Sequence, residues 1–213
     1  MDEAIRIFPL PTTEYANLNT ATFDSSGTLW FTGQSGVYGS LNPATGAVEL
    51  FDAPRGRGPY GIDAPHDGYV YYASLAGSYL GRIDPGTGAA TLLEPPRPRQ
   101  GARRVWADSE GTLWVTGWNS GDLFSYNPQS GEWGEWSLPG FRAKPYAVFV
   151  DERDKVWISD FTANAIVLFD PVDESFSTYS LPSRGAQVRQ MLGREGELWG
   201  AESGTDKLVV IRY

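Results

Sequence analysis

"GPYGIDAPHDGYVYYASLAGSYLGRIDPGTGAATLLEPP", Gly58–Pro96, is one complete unit of this chain, and its reading decides the fold. An apolar stretch, "YGIDA", runs into the turn "PHDG". The aromatic stretch "YVYY" follows, and then "GRID". The turn "DPGTG" leads to "TLLEPP", which alternates and stops on proline. Each stretch is short and rich in β-branched or aromatic residues, as strands are. Each turn carries proline where φ near −65° suits and glycine where φ must be positive. The unit therefore reads as four strands, a to d, joined by tight turns.

Outward from this unit the same pattern recurs. Strand d ends at Pro11, Pro54, Pro96, Pro139 and Pro182, at intervals of 43, 42, 43 and 43 residues. Strand b carries Trp30, Tyr71, Trp114, Trp157 and Trp199, at intervals of 41, 43, 43 and 42. Two ladders with one period establish internal repetition, and four strands per repeat of this length are a propeller blade. No apolar pattern of helical period competes. The fold expected is all-β, a five-bladed β-propeller of four-stranded antiparallel blades. The blades are expected at 13–54, 55–96, 97–139 and 140–182, within a single domain spanning 1–213. Residues 183–213 supply strands a to c of the last blade. Its fourth strand is expected from residues 1–12, "IRIFPLP", closing the ring and removing two open edges. An open stack of five units that dimerises is the alternative.

Composition narrows the function classes. The chain has 213 residues, 14% aromatic, with eight Trp, 25 Gly and 15 Pro, which suits many short strands. A net charge of −9 argues against nucleic acid and anionic membranes as partners. No apolar run reaches the ~18 residues of a membrane span. The start "MDEAIRIFPLP" lacks the basic and apolar regions of a signal peptide, so the default location is cytoplasmic. The absence of cysteine excludes disulfides, thiolate metal sites and cysteine nucleophiles.

Strand order divides the turns between two ends. The d-to-a links and b-to-c turns share one end, the top. Ten of the 17 basic residues, from Arg55 to Arg189, lie in the d-to-a links and the start of strand a. The a-to-b turns at the bottom collect Asp24, Asp67, Asp108 and Asp151. A basic top mouth predicts a small-molecule ligand, anionic or carboxylate-bearing. The competing reading is that these arginines are solvated or bridge neighbouring blades. His66, the one histidine of the chain, falls in a bottom turn, in the place of Ser25, Ser109 and Glu152. It reads as an exposed turn residue.

The stretches "GPYGI", "DGYVYYAS", "GRIDPGTG" and "KPYAVFVDERDKVWISDFTANAIVLFDP" resemble the streptogramin B lyase (virginiamycin B lyase) family, and the resemblance covers the whole chain. It implies a propeller, seven-bladed in most members, that opens a cyclic ester of streptogramin B antibiotics by elimination with Mg²⁺. It further implies a histidine in a P-H-A/G-I motif and glutamates in W-F-T-E motifs. The histidine slot lies eleven residues before the strand-b aromatic. Here it holds Asn19, Tyr60, Arg103, Tyr146 and Val188. The acidic slot, three after that aromatic, holds Gly33, Ser74, Gly117, Asp160 and Glu202. The missing histidine predicts an impaired lyase, and the alternative is a non-catalytic binding or scaffold propeller. A calcium-dependent lactonase of the six-bladed kind would need more oxygen ligands than Asn19, Asp160 and Glu202.

Elimination needs a base for a C–H proton and a donor for the developing enolate. The candidates are Tyr60 and Tyr146 as bases and Arg103 or Arg104 as donor, with Glu202 a further candidate catalytic residue. Asn19, Arg104, Trp118, Asp160 and Arg189 are candidate ligand-binding residues, and Asp160 with Glu202 is the candidate metal pair. Ion pairs between these carboxylates and the arginines are the competing account of both. A closed ring is expected to be a monomer and an open one a homo-oligomer.

Overall fold

In the computed structural model, which describes residues 5–213, the described chain is strands and turns without a helix. The first sheet is β1 (Leu18–Phe23), β2 (Leu29–Gly33), β3 (Val37–Leu41) and β4 (Val48–Asp52). The second is β5 (Pro59–Asp63), β6 (Val70–Ser74), β7 (Tyr79–Ile83) and β8 (Ala90–Leu93). The third is β9 (Ala102–Ala107), β10 (Leu113–Gly117), β11 (Asp122–Tyr126) and β12 (Trp133–Ser137). The fourth is β13 (Pro145–Val150), β14 (Val156–Asp160), β15 (Ala165–Asp170) and β16 (Ser175–Ser180). The last has three strands, β17 (Val188–Arg194), β18 (Glu197–Glu202) and β19 (Lys207–Arg212). Every ladder is antiparallel and joins strands consecutive in sequence, so each sheet is the meander of one repeat. The first strands β1, β5, β9, β13 and β17 lie next to one another in that order, a propeller-like arrangement.

The core lies between sheets. Trp114 meets Trp136 of its own sheet and Phe169 of the next at 5.6 and 5.7 Å between ring centroids. Trp30, Tyr71, Trp114 and Trp157 are all buried, as packing between blades requires. Trp199 is 37% exposed, because it lies on the outward side of the last sheet.

The bottom turns explain this regularity. Asp24, Asp108 and Asp151 accept the indole N–H of Trp30, Trp114 and Trp157 at 2.8, 2.9 and 2.8 Å. Each also accepts backbone N–H groups from the turn that it opens, such as those of Arg153 and Lys155 for Asp151. In the second sheet Asp67 accepts the Tyr71 hydroxyl at 2.6 Å. These carboxylates lock the turn to the core.

The expected ring closure is not seen among the described residues. Among the described residues, Ile5–Pro11 forms no strand, and the last sheet ends at β19; residues 1–4 of the expected closing strand lie outside the described ones. Phe8 and Leu10 turn instead onto the apolar outer side of the first sheet. There they border a groove of about 250 Å³ with Leu18, Phe31, Leu41 and Val48. Apolar burial at hand draws the segment away from β19.

Candidate functional site

The site is built by one local device repeated at the top. Just before each first strand, the backbone carbonyl of Asn17, Gly58, Gly101 or Lys144 accepts from the residue that follows the second strand. The donors are the N–H groups of Gln34, Leu75, Trp118 and Phe161. Gly58 and Gly101 have φ of 136° and 68°, the region where glycine is unstrained. A bulge follows in every first strand, at the residues just after its first ladder pair. The hydroxyls of Thr32 and Thr116 then donate to the carbonyls of Tyr60 and Tyr146 on the next sheet, at 2.5 and 3.1 Å. Between the second and third sheets this hydroxyl is missing, because Ala73 takes its place. There Gly61 lets the sheets approach; a Cβ on it would lie 2.8 Å from the Arg104 Cα.

Four of the expected site residues meet at the mouth. The Tyr60 and Tyr146 hydroxyls are hydrogen-bonded at 2.6 Å, and both rings are buried. The Arg103 guanidinium lies 3.7 Å from the Tyr146 centroid, 4.5 Å from Tyr60 and 4.6 Å from Trp118. Its Nη2 donates to the Tyr60 hydroxyl at 3.1 Å. Burial pushes the Tyr60 phenol up. The hydrogen bond with Tyr146 and the charges of Arg103 and Arg104 outweigh it and hold Tyr60 below the ordinary phenol value. Phe161 completes the cluster, stacked on Tyr146 at 4.7 Å and edge-on to Trp118 at 5.5 Å. Sequence reasoning missed Phe161. The available signal was its position, four residues after Trp157, as Trp118 stands four after Trp114 and Leu75 four after Tyr71. All three line one apolar cluster.

The other candidates divide. Arg104 crosses the axis and donates to Thr20 Oγ1 at 2.6 Å, tying the third sheet to the first. Arg189 lies 6.0 Å from the Tyr146 centroid. It, and not Val188, occupies the fifth slot. Val188 pairs with Glu202 as Tyr60's neighbour Pro59 pairs with Ser74. Counting back from Trp199 falls one residue short because the last a-to-b turn is a tight Glu195–Gly196 hairpin. Ser159 Oγ still donates to the Val188 carbonyl, at 2.7 Å. Asn19 is not brought to the cluster; it borders the groove on the first sheet's outer side and accepts from Thr20 Oγ1. His66 is at the bottom, exposed, beside Asp63 and Asp108 in a cleft of about 390 Å³.

The carboxylates act locally. Asp160 Oδ1 accepts from the N–H groups of Lys144 and Thr162, both at 2.9 Å, while its buried Oδ2 has no partner. Glu202 takes the Thr205 hydroxyl at 2.6 Å, which holds its carboxyl below the usual range. Neither carboxylate pairs with Arg103, Arg104 or Arg189. Among the described residues no three acidic or histidine side chains converge to hold a metal. Mg²⁺ asks for near-octahedral oxygen ligands, and this pair of turn caps does not fit it. The basic top also divides. Arg55 pairs with Glu94, and Arg97 with Glu135 and Asp122, across neighbouring sheets. Arg103 and Arg104 have no carboxylate within 4.0 Å among the described residues.

The model of the virginiamycin B lyase family matches residues 1–213. No curated protein matches the chain. Among solved structures, selenomethionine-substituted virginiamycin B lyase from Staphylococcus aureus is 22% identical with a TM-score of 0.87. That match covers 96% of this chain and 72% of the lyase. A catalytically inactive histidine-to-alanine variant of the S. aureus lyase with quinupristin is also 22% identical, with a TM-score of 0.90, covering 100% and 74%. The extracellular domain of a putative one-component system from B. thetaiotaomicron is 18% identical, with a TM-score of 0.72, covering 92% and 28%.

Proposed function

We propose, from the premise that the chain belongs to the virginiamycin B lyase family, that it binds a small ligand of the streptogramin type at the mouth and does not open its ring. The observation that carries this is the content of the histidine slot. Tyr60 and Tyr146 fill it with phenols bonded to each other, and Arg103 lies between their rings. The chain's histidine, His66, stands at the opposite end. The relative that bears alanine for a histidine supports the separation of binding from chemistry, since it is catalytically inactive and was obtained with quinupristin. Trp118 and Phe161, both half-buried, offer aromatic faces for a cyclic peptide ligand, and Arg103 offers donors for its carbonyls. Asp160 and Glu202, already engaged as turn caps, take no part in this reading, and no metal is needed for it.

The blades form an open arc in this reading. A closed ring of five turns more sharply at each blade than a ring of seven. The lyase match extends over 96–100% of this chain with TM-scores of 0.87 and 0.90, which favours the gentler curvature. The covered 72–74% of the lyases is close to what five of seven blades would occupy.

Calorimetric titration with quinupristin, followed by chromatography and mass measurement, tests the proposal. Saturable heat is expected, weakened at least tenfold in Trp118→Ala, with no opened product. Elimination would leave the mass unchanged and alter retention, and hydrolysis would add one water. Turnover lost in Tyr60→Phe would overturn the binding reading and make the phenol pair the base. Absence of heat would remove the ligand class.

A further inference from the structure

We infer that Arg103 and Arg104 form a binding site for a small anion, a halide ion or one carboxylate group, on the axis beneath the mouth. The two arginines are consecutive on β9, and both guanidiniums lie near one ring, 4.5 and 5.0 Å from the Tyr60 centroid. The charge of Arg103 bears on Arg104, and an opposite charge joining the two would offset their repulsion. Among the described residues no carboxylate does so, whereas Arg55 and Arg97 on the same end of the molecule are each paired with at least one. The Nε atoms of both Arg103 and Arg104 are buried without a hydrogen-bond partner. Buried N–H donors on a cation are rarely left unmet.

Only one terminal nitrogen of each is engaged, Arg103 with Tyr60 and Arg104 with Thr20. Both engaged partners are neutral hydroxyls already bonded to neutral neighbours, Thr20 to Asn19 and Tyr60 to Tyr146, and cannot cancel a charge. Beside Arg104 is a cavity of about 30 Å³, bordered by Thr20, Gly61, Ala147 and Gln190. These four residues and Arg104 are the equivalent position of all five first strands, so the cavity lies on the axis. Its size admits one water-sized group. That selects a halide or the end of a carboxylate over a phosphate or a larger oxyanion. Burial holds the Arg104 guanidinium below its usual value, the direction that an unneutralised cation takes. The inference shares Arg103 with the proposed ligand site but stands without it, since the anion needs no aromatic face.

The test is thermal unfolding of the whole chain at constant ionic strength. Sodium methanesulfonate, whose tetrahedral head group exceeds the cavity, is replaced stepwise by chloride, bromide or acetate. A saturable rise in Tm of a few degrees is expected with at least one of the three, absent in Arg104→Met and retained in Arg55→Met. Saturation by halide identifies a free ion, and saturation by acetate alone identifies the carboxylate end of a larger ligand. No saturable rise in the unaltered chain overturns the inference, as does an equal rise in Arg104→Met. Should Arg104→Met fail to fold, crystals of the unaltered chain grown with the anion that saturates decide. That anion beside the Arg104 guanidinium supports the site, and its absence there overturns it. Quinupristin binding that survives a failed anion test leaves the mouth reading intact and removes only this one.

Discussion

The bottom and the top of this molecule are built from the same five repeats and behave in opposite ways. At the bottom, Asp24, Asp67, Asp108 and Asp151 each hold the aromatic side chain of their own second strand and the turn before it. At the top, the equivalent slots hold Asn19, Tyr60, Arg103, Tyr146 and Arg189, five positions with three chemistries. Where the repeats agree, the residue serves the blade. Where they diverge, it serves something that the blades share only once, the axis. The carboxylates at the bottom are saturated with donors, whereas the cations at the top retain unmet ones.

The sharpest way to break this contrast is Asp151→Ala. The buried Trp157 indole N–H and two turn N–H groups would lose their acceptor, and a loss of about 2–3 kcal/mol in denaturant unfolding is expected. A loss under about 0.5 kcal/mol would make the bottom aspartates ornamental. Acid should expose the same feature. Burial pushes the Asp24 and Asp151 carboxyls up. The hydrogen bonds each accepts, led by Ser26 at Asp24 and Trp157 at Asp151, outweigh it and hold both below the usual range. A carboxyl depressed by folding contributes stability that is complete above its unfolded value and lost as pH falls through the folded one. Tm should therefore drop below about pH 4, and less steeply in Asp151→Asn.

At the top, Arg103→Met is expected to change stability by less than about 1 kcal/mol. The lost cation–π contacts are offset by relief of the repulsion with Arg104. In spectrophotometric titration, one tyrosine should ionise ahead of the rest, later in Arg103→Met and not at all in Tyr60→Phe. The smallest effect belongs to His66→Ala. It is exposed in a turn whose Asp67 carries the bonds, and unfolding should move by no more than about 0.5 kcal/mol.

The same contrast explains what could be read from the sequence. The period was legible because Trp30, Trp114 and Trp157 and their aspartates recur with the blade. Ring closure was not, because nothing in "IRIFPLP" distinguishes a partner on β19 from the apolar side of the first sheet. The fifth slot was misplaced by one because the hairpin at Glu195–Gly196 has no aspartate-capped turn. Trp199 there donates to Glu197, two residues before it. Tyr60, Tyr146 and Arg103 were legible as a group, since slot arithmetic places them, and Trp118 was legible separately, as an aromatic that breaks the repeat after "WVTG". The roles of Asp160 and Glu202 were not, since turn capping and metal binding ask for the same carboxylate.

The strictly consecutive pairing of strands has a further consequence, for the order in which the molecule comes apart. Each sheet leans on its neighbours in the chain, so cohesion is a sum over adjacent pairs, and the two end sheets each have one such neighbour. Amide hydrogens should then exchange in a gradient, fastest in β1 and β19 and slowest in β10 and β14. Two contacts depart from this rule, the Tyr60–Tyr146 hydrogen bond from the second sheet to the fourth and, from the third to the first, Arg104. By reaching Thr20 across 84 residues of chain, it couples the opening of the first sheet to the third. Replacing it should let the first sheet exchange independently of the third.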